Sequence, residues 1–352
     1  MPAERYFASD NNSPVNAEVM EALHQVNRNH QIAYGDDPYT ERGIDMLRET
    51  FGENTHPFFV YNGTGANVTA LSALLQPYQS VICPETAHIN MDECGSLERF
   101  CGCKIIPVPG KNGKIGVNDI RHHLSEIGNE HASQPKAVSI SQTTEFSTVY
   151  TPDEVNVLAD FLHSNGLYLH MDGARLSNAA AALDVNLADI TSIAGVDVLS
   201  FGCTKNGVMF GEAVLFFGTA CAEWYKFVRK QGMQLASKMR YIAAQYTAVL
   251  ENNLWYTNAV KANKMAALLA SRISDLPGIR IEYPVEANGV FVSVPPRIIE
   301  PLKEMYPFYI WDHQKNIIRL MCSFDTTRED VEGFIRYLKG ILNQAAESTG
   351  GK

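Results

Sequence analysis

Apolar and polar positions along the chain change rhythm three times. Between residues 57 and 217, short and nearly continuous apolar runs alternate with stretches of helical spacing. Seven runs predict strands: Phe58 to Tyr61, Ser80 to Cys83, Lys104 to Val108, Ala137 to Ile140, Leu167 to Met171, Val196 to Ser200 and Ala213 to Phe217. Runs with so few polar interruptions suit strands covered on both faces. Helical patterns between them predict a mainly parallel sheet. The clearest helix follows Thr151, which forms a capping box with Glu154 around Pro152. Leu158, Phe161 and Leu162 give it an apolar face, and Gly166 ends it.

Upstream, Ser13-Pro14 predicts the start of a first helix, with Ser13 as cap and Val15, Val19, Leu23 and Val26 at helical spacing. Ile44, Leu47 and Phe51 predict a second helix, closed by Gly52. Beyond Phe217, residues 219 to 275 predict two long helices broken near Asn252-Asn253. The remainder mixes strands (Val290 to Val294, Ile317 to Met321) with helices, the last opened by a Thr326–Glu329 capping box. A chain of 352 residues has room for one large domain and one small one. The expected division is a large α/β domain over residues 1–250 and a small C-terminal α/β domain over residues 251–352.

Composition narrows the function classes. Hydrophobic residues are 45% and charged residues 19%, an ordinary globular balance. A formal net charge of -10 with no basic run excludes a nucleic-acid partner. No apolar run reaches the length of about 18 residues needed to span a membrane. Met1 to Asn12 lacks the apolar core of a signal peptide, so a cytoplasmic location is expected. The seven cysteines are odd in number. Cys101 and Cys103, with Cys83 and Cys94 upstream, do not make two pairs at zinc spacing. They read as free, buried or half-buried thiols, and no metal is expected.

Three features in order carry the candidate chemistry. Asn62-Gly63-Thr64-Gly65-Ala66-Asn67 follows a strand and opens a helix. Glycines allow close backbone approach, and a helix N-terminus offers free N–H groups, so this is a phosphate cradle or a plain strand-to-helix turn. Met171-Asp172-Gly173-Ala174-Arg175 puts a carboxylate at the end of an apolar strand, where open α/β sheets meet their ligands. Asp172 reads as the partner of a cofactor ring nitrogen or as a helix cap. Ser200-Phe201-Gly202-Cys203-Thr204-Lys205-Asn206-Gly207 sets a lysine among small residues after a buried strand. A lysine desolvated there has a lowered pKa and can form an imine, and Thr204 can bond a phosphate. Cradle, carboxylate and lysine in this order make a consistent pyridoxal-phosphate site. His170, beside Met171, reads as structural, set apart by strand alternation.

On these residues the chain resembles the threonine aldolases, within the β-eliminating lyase group of fold-type-I pyridoxal-phosphate enzymes. The likeness rests on Tyr34-Gly35-Asp36-Asp37-Pro38, Gly63 to Asn67, the segment around His88, Met171 to Arg175, the Lys205 loop and Ile318-Arg319-Leu320. It spans roughly residues 8 to 340. It implies a mostly parallel seven-stranded sheet flanked by helices, plus the small domain. It also implies a homodimer or homotetramer with sites at subunit contacts.

The resemblance assigns roles. Lys205 would hold the cofactor as a Schiff base, Asp172 would pair with the pyridine nitrogen, and Gly63, Thr64 and Gly65 would hold the phosphate. His88 would lie against the ring and near the substrate hydroxyl. Ser9, Arg175 and Arg319 would grip the substrate carboxylate, for which planar guanidinium groups are well shaped. Arg319 is placed at the end of a small-domain strand. Lys238 would reach a phosphate in a neighbouring subunit. Two departures stand out. A Gly-Asp-Asp element appears once rather than repeated, and residues 142 to 150 lack a histidine that would help recognise a β-hydroxyl.

The implied reaction is retro-aldol cleavage of L-threonine or L-allo-threonine to glycine and acetaldehyde, with His88 and then Glu93 as candidate bases. A β-eliminating lyase acting on another amino acid would use the same cofactor residues. A non-catalytic cofactor-binding protein would not need two arginines for a carboxylate.

Overall fold

The computed structural model describes residues 3–218 and 221–350, the side chains of 345–350 excepted. Strands β1 (Thr55–Val60), β2 (Gln79–Pro84), β3 (Lys104–Val108), β4 (Gln134–Ser141), β5 (Tyr168–Gly173), β6 (Val198–Gly202) and β7 (Glu212–Phe217) form one sheet. Their order is β1-β7-β6-β5-β4-β2-β3, the mostly parallel seven-stranded sheet that was expected. All pairings from β3 across to β6 are parallel, while β7 runs antiparallel to β6 and β1. Strands β1 to β6 therefore point one way, and their carboxyl ends share an edge. Because β7 is reversed, it starts at that same edge, with Glu212 opposite both Gly202 and Val60.

Helices cover both faces and leave β5 and β6 almost wholly buried. The Thr151–Glu154 capping box forms as expected and opens helix Pro152–Ser164. Such a cap is worth about 1 kcal/mol. His170 lies in the sheet interior. Its Nδ1 pairs with Ser139 Oγ at 2.9 Å on β4, and its Nε2 with Ser200 Oγ at 3.0 Å on β6. Burial pushes its pKa down to about 4, so the ring is neutral and serves as a cross-strand strut. Strand alternation does not set it apart, however. Positions 170 and 172 share a face, and the Asp172 charge acts directly on the ring.

Downstream, β8 (Arg280–Ile281), β9 (Gly289–Ser293), β10 (Tyr309–Asp312) and β11 (Ile317–Met321) form an antiparallel sheet in the order β10-β11-β9-β8. Its core includes Leu269, Val290, Leu320 and Phe334, together with Phe7 from the start of the chain. The Phe7 carbonyl accepts from Met321 N–H at 2.9 Å, so the N-terminal segment lies along β11. Helix Leu254–Ile273 packs on helix Leu176–Leu183 and on helix Arg328–Gly350, linking the two sheets' layers.

Five local expectations need correction. The first long helix begins at Ala17, capped by Asn16, whose Oδ1 accepts from Glu18 N–H at 3.0 Å. Asn16 can do this because its own N–H is satisfied by the Gly207 carbonyl across the fold. The stretch after Phe217 holds three helices, Ala222–Gln231, Arg240–Leu250 and Leu254–Ile273. The unforeseen break follows Gly232, where Met233 takes a positive φ of 61°. The last capping box is made by Thr327 and Asp330, one position later than expected, because Thr326 is bonded to Ser323 instead. Arg319 sits in the middle of β11 rather than at its end. Cys94 is exposed, whereas the other six cysteines are buried or half-buried.

Candidate active site

The edge where β1 to β6 end is a cleft with a cavity of about 310 Å³, reached by Gly63, Thr64, His88, Asp172, Arg175, Thr204 and Lys205. These residues come from four strand-to-loop junctions, after β1, β2, β5 and β6, which the strand order brings together. After β1 the chain enters helix Gly63–Leu74, capped by Asn62, whose Oδ1 accepts from Gly65 N–H at 2.7 Å. The N–H groups of Gly63 and Thr64 donate to no partner among the described residues. They are free for an anion at a helix N-terminus. Gly65 was expected to join them, but Asn62 occupies its N–H. A Cβ there would meet the end of the Gln234 side chain, 2.3 Å from its Cδ, so that the amide would have to move aside.

Behind the cleft runs a bonded chain of polar groups. Asn67 Nδ2 donates to Asp172 Oδ2 at 2.8 Å and to Glu93 Oε1 at 2.9 Å, and His88 Nδ1 meets the same Glu93 oxygen at 2.8 Å. Ala174 N–H donates to Asp172 Oδ1 at 3.0 Å, so Asp172 also makes the local turn that its position suggested. Burial opposes ionisation of Asp172. The positive field of His88, the Asn67 hydrogen bond, Lys205 and the Ala174 N–H outweigh it and leave the carboxyl below its ordinary pKa. His88 is shifted upward, chiefly by its hydrogen bond to Glu93. Glu93 is buried and pushed upward by desolvation. One ligand atom each from His88, Glu93 and Asp172 lie within 4.8 Å of one another. Asn67 Nδ2 bridges the two carboxylates.

Lys205 lies on a single 3-10 turn, Thr204–Asn206, after β6. Burial lowers its pKa, Arg175 adds to the effect, and Asp10, Asp172 and Glu145 oppose it. Thr204, expected at a phosphate, has its Oγ1 3.2 Å from Glu212 Oε1, to which it donates. Glu212 is buried, and desolvation carries its pKa to about 8.

The side of the cleft nearest the small sheet is built from distant segments. Arg175, on the cavity wall, donates from Nε and Nη2 to Asp10 Oδ2 and Oδ1 at 2.7 and 2.8 Å, a buried bidentate pair that does not use Nη1. Asn288 Nδ2 donates to Asp10 Oδ2 at 3.0 Å. Against its burial, these partners hold the Asp10 pKa down to about 2. Arg319 lies over the rings of Tyr309 and Trp311, at 5.1 and 5.6 Å from their centroids. Its Nη2 donates to the Ala8 carbonyl at 3.3 Å, and its Nε has no partner. Arg175, Asp10 and Glu145 all act on its charge.

Five expected residues stand off the cavity wall: Gly65 and Arg319, already described, and Ser9, Glu93 and Lys238. Ser9 caps a short turn, accepting from Asn11 N–H at 3.2 Å, and borders a neighbouring depression. Glu93 lies behind His88. Lys238 faces a separate surface depression on the far side of Tyr61 and Phe210, which line both. Sequence reading missed Asp10, Asn67, Glu145 and Glu212. Asn67 could have been found, because it lies one helical turn beyond Gly63 on the cradle helix. Glu212 offered a weaker signal, a lone acid opening an apolar strand.

Comparison with known proteins gives concordant results. A family model described as beta-eliminating lyase matches residues 6–295. The low specificity L-threonine aldolase of Pseudomonas aeruginosa is 44% identical over 338 residues, covering 96% of this chain and 97% of that one. Its counterpart from a Pseudomonas species is 42% identical over 96% and 98%. The threonine aldolase structure from Leishmania major superposes with a TM-score of 0.91 at 30% identity, over 96% of this chain and 99% of that one.

Proposed function

Because the chain belongs to the beta-eliminating lyase family, we propose that it is an aldehyde-lyase cleaving L-threonine and L-allo-threonine to glycine and acetaldehyde with pyridoxal 5'-phosphate. The residues fit that cofactor on their own chemistry. Two free N–H groups at a helix N-terminus suit its phosphate, an ionised buried carboxylate suits a protonated ring nitrogen, and a lysine of lowered pKa suits its aldehyde. When bound, this cofactor supplies the sink for the electron pair left on Cα.

One arrangement supports the reading above all: Asp172 kept ionised by Asn67 and Ala174 in the same cleft as Lys205 and Arg175. Asp172 would hold the ring-nitrogen proton. Gly63 and Thr64 would hold the phosphate, with Thr204 exchanging its Glu212 contact for it. His88, braced by Glu93, would form a wall over the ring. Arg175 Nη1 and the unpartnered Nε of Arg319 would bind the substrate carboxylate, with Ser9 closing the end of the site. Fixing the carboxylate at two points orients the Cα–Cβ bond, and orientation selects which bond breaks.

Residues 1–250 would then act as the cofactor domain and 251–352 as the smaller domain supplying Arg319. The chain would work as a homodimer or homotetramer in the cytoplasm, with Lys238 reaching a neighbouring subunit's phosphate. A product assay on L-threonine tests the reading. Glycine and acetaldehyde, both lost in Lys205→Ala, are expected. Ammonia and 2-oxobutyrate would replace it with β-elimination.

A further inference from the structure

The segment from Gln142 to Tyr150 presents one carboxyl group, that of Glu145, to the cleft. The segment is held rigidly. Gln142 closes its two ends, donating to the Tyr150 carbonyl at 2.7 Å and accepting from Tyr150 N–H at 3.0 Å. Inside it, Thr144 N–H donates to the Thr148 carbonyl at 2.9 Å and Ser147 N–H to the Thr144 carbonyl at 2.8 Å. Two further bonds tie it to the stretch leading into β9: Gly289 N–H to Ser147 Oγ at 2.9 Å, and Val149 N–H to Glu286 at 2.7 Å. Phe146 stacks on Tyr283 with centroids 4.0 Å apart and meets Trp311 edge-on at 5.7 Å. Trp311 is one of the rings under Arg319. The residue next to Glu145 and the second arginine thus share one aromatic cluster.

The Glu145 carboxylate makes no hydrogen bond among the described residues. The charged groups facing it are Arg175, Asp172, Lys205 and His88, all of them on the cavity wall, together with Arg319 of β11. We propose that Glu145 is the base that takes the β-hydroxyl proton of the substrate in the cleavage step. This rests on the aldolase reading and names the group that the reaction needs. The alternatives are committed elsewhere. His88 gives Nδ1 to Glu93, and that bond keeps the ring protonated to higher pH, when it has no lone pair for a proton. Glu93 is bonded to His88 and Asn67 and does not reach the cavity. Glu212 is bonded to Thr204 on the Lys205 side. Burial shifts Glu145 upward, against the opposing field of Arg175, which makes its carboxylate a stronger base than an exposed one.

The step balances. The O–H bond breaks toward a Glu145 oxygen, and its electron pair becomes the C–O π bond of acetaldehyde. The Cα–Cβ bond breaks and leaves its pair on Cα. A proton delivered to Cα completes glycine and cancels the proton gained by Glu145. No oxidant or reductant enters.

The test compares wild type, Glu145→Gln and Glu145→Asp, each loaded with pyridoxal phosphate. Threonine cleavage is measured beside exchange of the glycine α-proton in heavy water, which involves no β-hydroxyl, and beside cofactor affinity by absorbance titration. In Glu145→Gln, kcat for cleavage is expected to fall by about 10² to 10⁴, while exchange and cofactor affinity stay near wild type. Glu145→Asp, which keeps a carboxylate, is expected to restore part of the rate. It is also expected to move the acidic limb of the kcat–pH profile, which carries the test if the Gln variant does not fold. Cleavage by Glu145→Gln at nearly the wild-type rate overturns the proposal. So does a parallel loss of cleavage and exchange, which would make the role structural. Elimination products from wild type would instead overturn the aldolase reading, and this inference with it.

Discussion

Asp172 and Arg319 belong to two sheets, are both proposed to act on one substrate, and are held by different physics. Asp172 ends β5 and is fixed by two hydrogen bonds, from Asn67 and from Ala174 two residues on. Arg319 stands mid-strand on β11 between two aromatic rings, with one long bond to the Ala8 carbonyl and an empty Nε. Asp172 is therefore satisfied before any ligand arrives. The small-sheet wall keeps a cation desolvated and under-bonded. An under-bonded guanidinium gains most from a carboxylate, because its remaining donors find no water or protein partner. A satisfied carboxylate gains little from rearranging and keeps its charge.

Breaking the large-sheet side should have the greatest effect. Asp172→Asn removes the buried charge while preserving shape and the Asn67 contact. It should lower kcat for threonine by about 10² to 10³, the usual loss when one preorganised electrostatic group is removed. The same variant should change the absorbance maximum of the loaded protein. A rate near wild type would show that the ionised carboxylate is not what this wall provides.

The second prediction sharpens the comparison within one edge of the sheet, where Asp172 is held charged and Glu212 neutral. Glu212 has a folded pKa of about 8 against an ordinary value of 4.5. The folded state thus binds more protons than the unfolded state between those pH values. Its contribution is complete below the unfolded pKa and is lost as pH rises through about 8. Glu212→Gln should therefore gain stability relative to wild type on going from pH 5 to pH 9, by an amount on the order of a few kcal/mol. Thermal melts of cofactor-free protein at the two pH values would measure it. A difference independent of pH would mean that Glu212 is not buried in its neutral form.

The smallest effect is expected on the small-sheet side. Trp311→Leu keeps an apolar filler but removes one ring under Arg319. A cation–π contact is worth about 0.5–2 kcal/mol, so KM for threonine should rise by about two- to thirtyfold with kcat nearly unchanged. A fall in kcat at constant KM would show that the aromatic cluster acts through Glu145 rather than Arg319.

By itself, the sequence determined the seven strands, the helix cap at Thr151, and the three loops that carry Gly63, Asp172 and Lys205. Each is a local matter: apolar runs, a capping residue, a polar group set where a strand stops. Local reading slipped where a distant partner changed the local balance, as at Asn16, whose N–H is satisfied by Gly207. Only the tertiary structure decided which polar groups meet. Asp10 reaches Arg175 from far along the chain, Arg319 shares an aromatic cluster with Phe146, and Glu212 arrives beside Thr204 because β7 alone runs backward. The ionisation of these groups follows from the same cause. A carboxyl's charge depends on its burial and on the summed field of its neighbours in space. For Asp172 and Glu212 those neighbours are gathered by strand order and direction, which no short stretch of sequence encodes.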